Sequence, residues 1–172
     1  MLEFEIPEIY DGTIEIMSIV REAGSRTKVA VKANDEQIDA VGSCVGFKGT
    51  RIQNILNEVG NERIDIIEYN ENPEIYIANA ISPAEAIEVK VDVDNRSAIV
   101  IIDDSQLSLA IGKDGQNARL AAKLTGWKVD IKSCEQYNKM IESANELAAQ
   151  DELIVDDVID IEKEEMSVDE EN

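Results

Sequence analysis

Two glycine-bracketed tetrapeptides, Gly46-Phe47-Lys48-Gly49 and Gly112-Lys113-Asp114-Gly115, are the residues whose types and spacing could do binding chemistry. Glycine has no Cβ, so a loop with one at each corner lets a bulky anionic strand approach the main-chain amides. A helix starting after the second glycine adds its first free N–H groups and their partial positive charge, which suits a phosphate. Lys48 and Lys113 lie inside the loops, where an ammonium can reach that phosphate, and Arg51 and Arg119 follow two and four residues after the second glycine. Asp114 opposes an anion, so the second loop is expected to lean on Lys113, Arg119 and Lys123. Gln116 and Asn117 carry amides that donate and accept, fit for base edges, sugar hydroxyls or, equally, a helix cap.

Other chemistries find little support. The absence of histidine removes the commonest general base, the triad arrangements and most zinc sites. Cys44 and Cys134 are too far apart for a chelating pair, and Cys44 reads as a small buried hydrophobe. No complete G-x-x-x-x-G-K-[ST] phosphate loop is present, and the carboxylates fall in charge runs rather than pairs. The expectation is a chain that is not an enzyme, with no cofactor, no metal and no small-molecule substrate. The N-terminus shows neither a basic leader nor an apolar signal core, and no run approaches ~18 apolar residues, so no membrane partner and a cytoplasmic location are expected.

The elements that must position the loops repeat with them. Eleven residues after the second glycine of each loop stands another, Gly60 and Gly126, placed to end a helix. Between them Ile52, Ile55, Leu56 and Val59 share one helical face, as do Ala118, Ala121 and Ala122. A shorter helical turn precedes each loop, with Asp39 and Ser105 as expected N-caps. Strands of period two flank the helices: Ile14 and Ile16, Val29 and Val31, Ile64 and Ile66, then Ile87 to Val93, Ala98 to Ile102, and Val129 with Ile131. Asp94-Asn95 reads as a hairpin turn, and Trp127 as a packing residue rather than a base-stacking ring. Opening helices are expected near Ile6 to Tyr10 and Pro73 to Ile81. Each copy thus reads helix-strand-strand-helix-helix-strand, and the join near Asn70 to Asn72 is short enough to hold the copies in a fixed orientation.

Charge is the main objection to a nucleic-acid partner, because the net value is -21 and phosphate binding is driven by cations. Its distribution eases the objection: residues 135–172 hold 14 acids and 2 bases, whereas Gly112 to Lys132 carries Lys113, Arg119, Lys123, Lys128 and Lys132 against Asp114 and Asp130. With 4% aromatic residues, stacking platforms are scarce and Ile/Val surfaces would have to receive the bases. A paired-helix loop of this kind is the logic of the KH module, which clamps about four nucleotides of single-stranded RNA.

The wording of the sequence carries a resemblance. LSLAIGKDGQNARLAAKLTGWKVDIKS, Leu107 to Ser133, closely resembles the second KH domain of the bacterial transcription elongation and termination factor NusA. Phe4 to Ile16, Val41 to Tyr69 and Pro73 to Ala86 look like the start and the loop-helix-strand of its first KH domain and the joining helix. The resemblance covers roughly residues 2 to 133. It implies an α+β fold of two tandem type II (prokaryotic) KH domains, 1–70 and 71–133; beyond them, composition reads residues 134–172 as an acidic tail, disordered or partly helical. It further implies binding of nascent single-stranded RNA in pausing, termination and antitermination, with RNA polymerase and other elongation factors as partners. By position, the implied RNA contacts are Gly46, Phe47, Lys48, Gly49 and Arg51, then Gly112, Lys113, Asp114, Gly115, Gln116, Asn117 and Arg119. The competing expectation is a protein-interaction module whose acidic tail and sheet edges bind another factor while the loops stand idle. Within the tail, Leu153, Ile154, Val155, Val158, Ile159 and Ile161 stand among acids; the composition reads as a disordered, solvating segment, and the alternative is a docking segment or a screen for the basic face.

Overall fold

The computed structural model describes residues 1–60 and 62–148. Met1–Ser133 is one compact unit, and the described residues from Cys134 onward stand apart from it. Of these, residues 134–148 are helical; the Leu153 to Ile161 segment lies outside the described residues. Among the described residues no helix is long and apolar enough to cross a membrane.

The first copy opens with two single-turn helices, α1 (Leu2–Glu5) and α2 (Pro7–Tyr10). It continues through β1 (Ile14–Glu22), β2 (Arg26–Ala33), α3 (Ala40–Val45), α4 (Thr50–Val59) and β3 (Arg63–Glu68). The second runs α5 (Pro73–Ala80), β4 (Ala86–Asp92), β5 (Ser97–Ile102), α6 (Leu107–Ile111), α7 (Gln116–Thr125) and β6 (Lys128–Ser133). Both sheets have sequential strand order, the first pair antiparallel and the second parallel. The parallel pairing follows from the two intervening helices, which carry the chain back across the sheet.

Local signals account for most boundaries. Pro73 begins α5, and the Asn72 side chain caps it by accepting from the Glu74 amide at 2.9 Å. The Asp39 carboxylate caps α3 through the Gly42 amide at 2.8 Å. The expected Ser105 cap is corrected: Asp103 does this work, accepting from the Ser105 amide at 2.9 Å and starting a 3-10 turn that contains Ser105. Asp94-Asn95 lies in the β4–β5 turn, where Asp92 accepts from the Asn95 amide at 3.1 Å.

The two copies share a core. A smaller apolar cluster, with Ile6, Ile14, Val29, Val31, Cys44 and Ile55, belongs to the first copy. The larger joins Ala30 and Ile67 of the first copy to Tyr76, Ile77, Ile81, Val100, Ile102, Leu124 and others of the second. Trp127 packs against this larger cluster with the Arg96 guanidinium 5.8 Å from its ring centroid, as a packing residue should. Strand β2 is therefore covered on both faces, and Lys28 is fully buried in it. The Lys28 ammonium bonds the Asp65 carboxylate at 3.0 Å and, across the copies, the Ser82 carbonyl at 2.8 Å.

Candidate nucleic-acid interface

Each tetrapeptide joins two helices through a 3-10 turn, and the two backbones have the same shape. Gly46 has φ 78, ψ 170, Lys48 φ 53, ψ 27 and Gly49 φ 76, ψ 15. Their counterparts Gly112, Asp114 and Gly115 have 76/172, 54/27 and 72/15. The left-handed values explain the glycines and require Lys48 and Asp114 to sit where L-residues rarely go.

The two glycines of each loop do different jobs. A Cβ on Gly46 would come within 2.8 Å of Arg51 Cγ, and one on Gly112 within 2.9 Å of the Asn117 nitrogen. These first glycines let the loop fold back onto the helix that follows. At the second corner, a Cβ on Gly49 would meet only Ile52 Cγ2, at 3.8 Å, and one on Gly115 nothing within 4 Å. That open side is where a strand could approach. Neither α4 nor α7 has a side-chain cap; the first amide of each is taken within the turn, Thr50 N–H by the Phe47 carbonyl and Gln116 N–H by the Lys113 carbonyl, and the helix dipole favours an anion at that end.

The candidate residues divide into those that face solvent and those already engaged. Phe47 is 82% exposed, with the Lys48 ammonium 5.3 Å from its ring centroid. Lys48, Lys113, Asp114 and Lys123 are also exposed. Arg51 is half-buried, donating from Nη1 to Glu8 Oε2 at 2.8 Å and to the Ser43 carbonyl at 2.7 Å, so it ties the first loop to α2 and the end of α3. Asn117 is a correction. It is fully buried, and its Nδ2 donates to the Ile81 carbonyl at 2.8 Å and the Ala110 carbonyl at 2.9 Å, so its amide holds α7 against α6 and the end of α5 rather than meeting a base. Gln116 and Arg119 are drawn toward the first copy, both bonded to Glu22. An adjoining groove of about 460 Å³ is lined by Val41 of α3, Ile66 and Glu68 of β3, and Ala78, Pro83 and Ala86 of the second copy. It is of mixed polarity rather than purely apolar.

Sequence reasoning missed the acids that organise this surface. Glu62, almost fully buried, accepts from Arg21 Nε at 2.7 Å, Arg21 Nη2 at 2.9 Å and the Gly24 amide at 2.9 Å, and also from the Thr27 hydroxyl. The Arg21 guanidinium, then the Thr27 hydroxyl and the Gly24 amide, hold its pKa down to about 2 from an ordinary 4.5. Glu22 is likewise held at about 2, chiefly by Arg119 and then Gln116. Depressed folded values mean that the stabilisation from these carboxylates is complete above their unfolded pKa and is lost as pH falls from about 4.5 towards 2. The urea midpoint should therefore drop across that window, and drop less in Glu62→Gln; parallel curves for the two proteins would refute the assignment. A single sequence offers no mark that separates these acids from the solvated ones around them.

Paired helix-loop-helix corners of one backbone shape, each set on a three-stranded sheet of the same topology, define a tandem KH protein. Residues 1–69 match the NusA-like first KH domain family, and residues 73–139 the NusA-like second KH domain family. A protein of Halalkalibacterium halodurans named transcription termination/antitermination protein NusA is 51% identical over 156 residues, which is 91% of this chain and 41% of that one. The Bacillus subtilis protein of the same name is 56% identical over 133 residues, 77% of this chain and 36% of that one. The crystal structure of APE1850 aligns with a TM-score of 0.52 at 26% identity, covering 77% of this chain and 99% of that one. The chain belongs to the NusA-like KH family, as its tandem pair, and spans well under half the length of these NusA relatives.

Proposed function

We propose that the tandem pair binds single-stranded nascent RNA, one clamp in residues 1–70 and one in 71–133, as a non-catalytic part of the machinery of pausing, termination and antitermination. RNA polymerase and other elongation factors are the partners in this reading; the relatives' names, which specify transcription termination and antitermination, support the place in transcription alone. The observation that carries it is the open second corner of each loop, backed by the uncapped start of a ten-residue helix. Gly46, Phe47, Lys48 and Gly49 form the first clamp, and Gly112, Lys113, Asp114 and Gly115 the second, with Lys123 on the flank. Phe47 offers a ring for one base, while Arg51, Asn117, Gln116 and Arg119 shape the clamps from behind.

Salt tests the reading. A strand held through several phosphates loses affinity linearly in log salt, by ~0.7 per contacted phosphate. Titrating a 10-nucleotide unstructured RNA should show such a slope, and Lys48→Ala with Lys113→Ala should make it shallower by about one to two contacts' worth. A flat titration would point instead to a protein-interaction module with idle loops.

A further inference from the structure

Glu22 ends β1 of the first copy, yet its carboxylate is bonded to the second. Its Oε1 accepts from Arg119 Nε at 2.8 Å, and its Oε2 from Gln116 Nε2 at 2.8 Å and Arg119 Nη2 at 3.1 Å. Gln116 Nε2 also reaches Ser25 Oγ, across the same hairpin, at 2.7 Å. Gln116 is the first residue of α7, immediately after the Gly115 corner. Arg119 continues into the loop itself, donating from Nη1 to the Asp114 carbonyl at 3.0 Å. The hairpin is not a loose arm, because Glu62 pins it from the other side through Arg21, Gly24 and Thr27.

We propose that Glu22 is a positioning residue that docks the second loop on the first copy's β1–β2 hairpin, so that both clamps present one rigid track to a single RNA. The proposal rests on the RNA reading above. Rigid spacing makes engagement of the second clamp intramolecular, and its effective concentration falls when the spacing loosens. An RNA long enough to meet both clamps feels that loss; one that fills a single clamp does not. The contact could instead be imagined as a phosphate mimic that competes with RNA for Arg119. Geometry favours positioning: Glu22 bonds the side chains of Gln116 and Arg119 rather than loop amides, and Arg119 keeps its separate bond to the loop.

The test uses the full chain, RNAs of ~4 and ~10 nucleotides to fill one clamp or both, and residual dipolar couplings to report the orientation of the two sheets. Glu22→Ala should weaken the longer RNA by about fivefold, leave the shorter within twofold, and broaden the relative orientation. Glu22→Gln, which retains an acceptor for Arg119 Nε, should fall between; it also carries the comparison if the alanine variant proves too unstable to measure. Equal loss at both lengths, no loss at either, or tighter binding would overturn the proposal. If the unmodified chain binds neither RNA, the RNA reading fails, and the couplings alone then decide the docking role: an unchanged orientation in the variants overturns it.

Discussion

Replacing Gly49 and Gly115 together by Asp should weaken binding of a 10-nucleotide RNA at least a hundredfold while leaving the chain folded. Each new carboxylate would stand at the open corner, repelling phosphate where the amides should attract it and occupying the space a sugar-phosphate strand needs. The fold should survive because the added Cβ meets nothing closer than 3.8 Å at either corner. The left-handed backbone costs an L-residue about 1–2 kcal/mol, less for Asp than for most. The contrast with the first corners explains the choice. A side chain at Gly46 or Gly112 would drive into Arg51 or Asn117 at 2.8–2.9 Å and distort the loop whatever its charge. Circular dichroism and thermal unfolding check the fold, and fluorescence anisotropy the binding. Retention of affinity within threefold by a folded double variant would remove the loops from the interface.

The second large effect concerns stability. Asp65→Ala should destabilise the chain by about 2–4 kcal/mol, because removing one partner of a buried pair leaves the other uncompensated. The residue left behind is Lys28, fully buried, with the Ser82 carbonyl as its remaining partner; Arg26, which donates to Asp65 at 2.7 Å, loses the same anchor. The pH dependence has a definite sign. Burial already lowers the Lys28 pKa below its ordinary 10.5, with Asp65 acting against the shift. Without Asp65 the folded value falls further, so the unfolded chain binds more protons over a wider range below 10.5, and stability rises with pH there. The deficit of Asp65→Ala should thus narrow as pH is raised from 7 towards 10, measured by urea denaturation. A deficit below 0.5 kcal/mol, or one that grows with pH, would show that Lys28 does not depend on this carboxylate. Because Lys28 also reaches Ser82 in the second copy, the variant reports on the seam between the copies as well.

Much of the architecture is legible in the chain because its determinants are local. Glycines at the two corners and at Gly60 and Gly126 mark where helices begin and end, and the left-handed φ at each is a backbone demand that hardly any other residue meets. The three- and four-residue spacing of Ile52, Ile55, Leu56 and Val59, and the alternation of Val29 and Val31, name the inward face of α4, where Ile55 is buried and the other three half-buried, and one buried face of β2. Repetition of the whole pattern supplies the duplication. Cys44 behaves as its apolar neighbours predict, fully buried with its thiol pKa pushed up to about 11.

Tertiary structure decided what lies on the other faces. Alternation places Lys28 and Ala30 opposite Val29 and Val31, a face that would be solvated in an isolated copy. Packing against the second copy buries it instead, and only that packing makes Lys28 an interior charge. The same seam made Gln116 and Arg119 partners of Glu22, more than 90 residues away in sequence. Within the second copy, the packing of α7 against α5 and α6 placed the Asn117 amide between the Ile81 and Ala110 carbonyls. Periodicity reports which residues share a side of an element. Which sides meet depends on how two whole units dock, a matter of shape and paired charge over long sequence separations that no local pattern encodes.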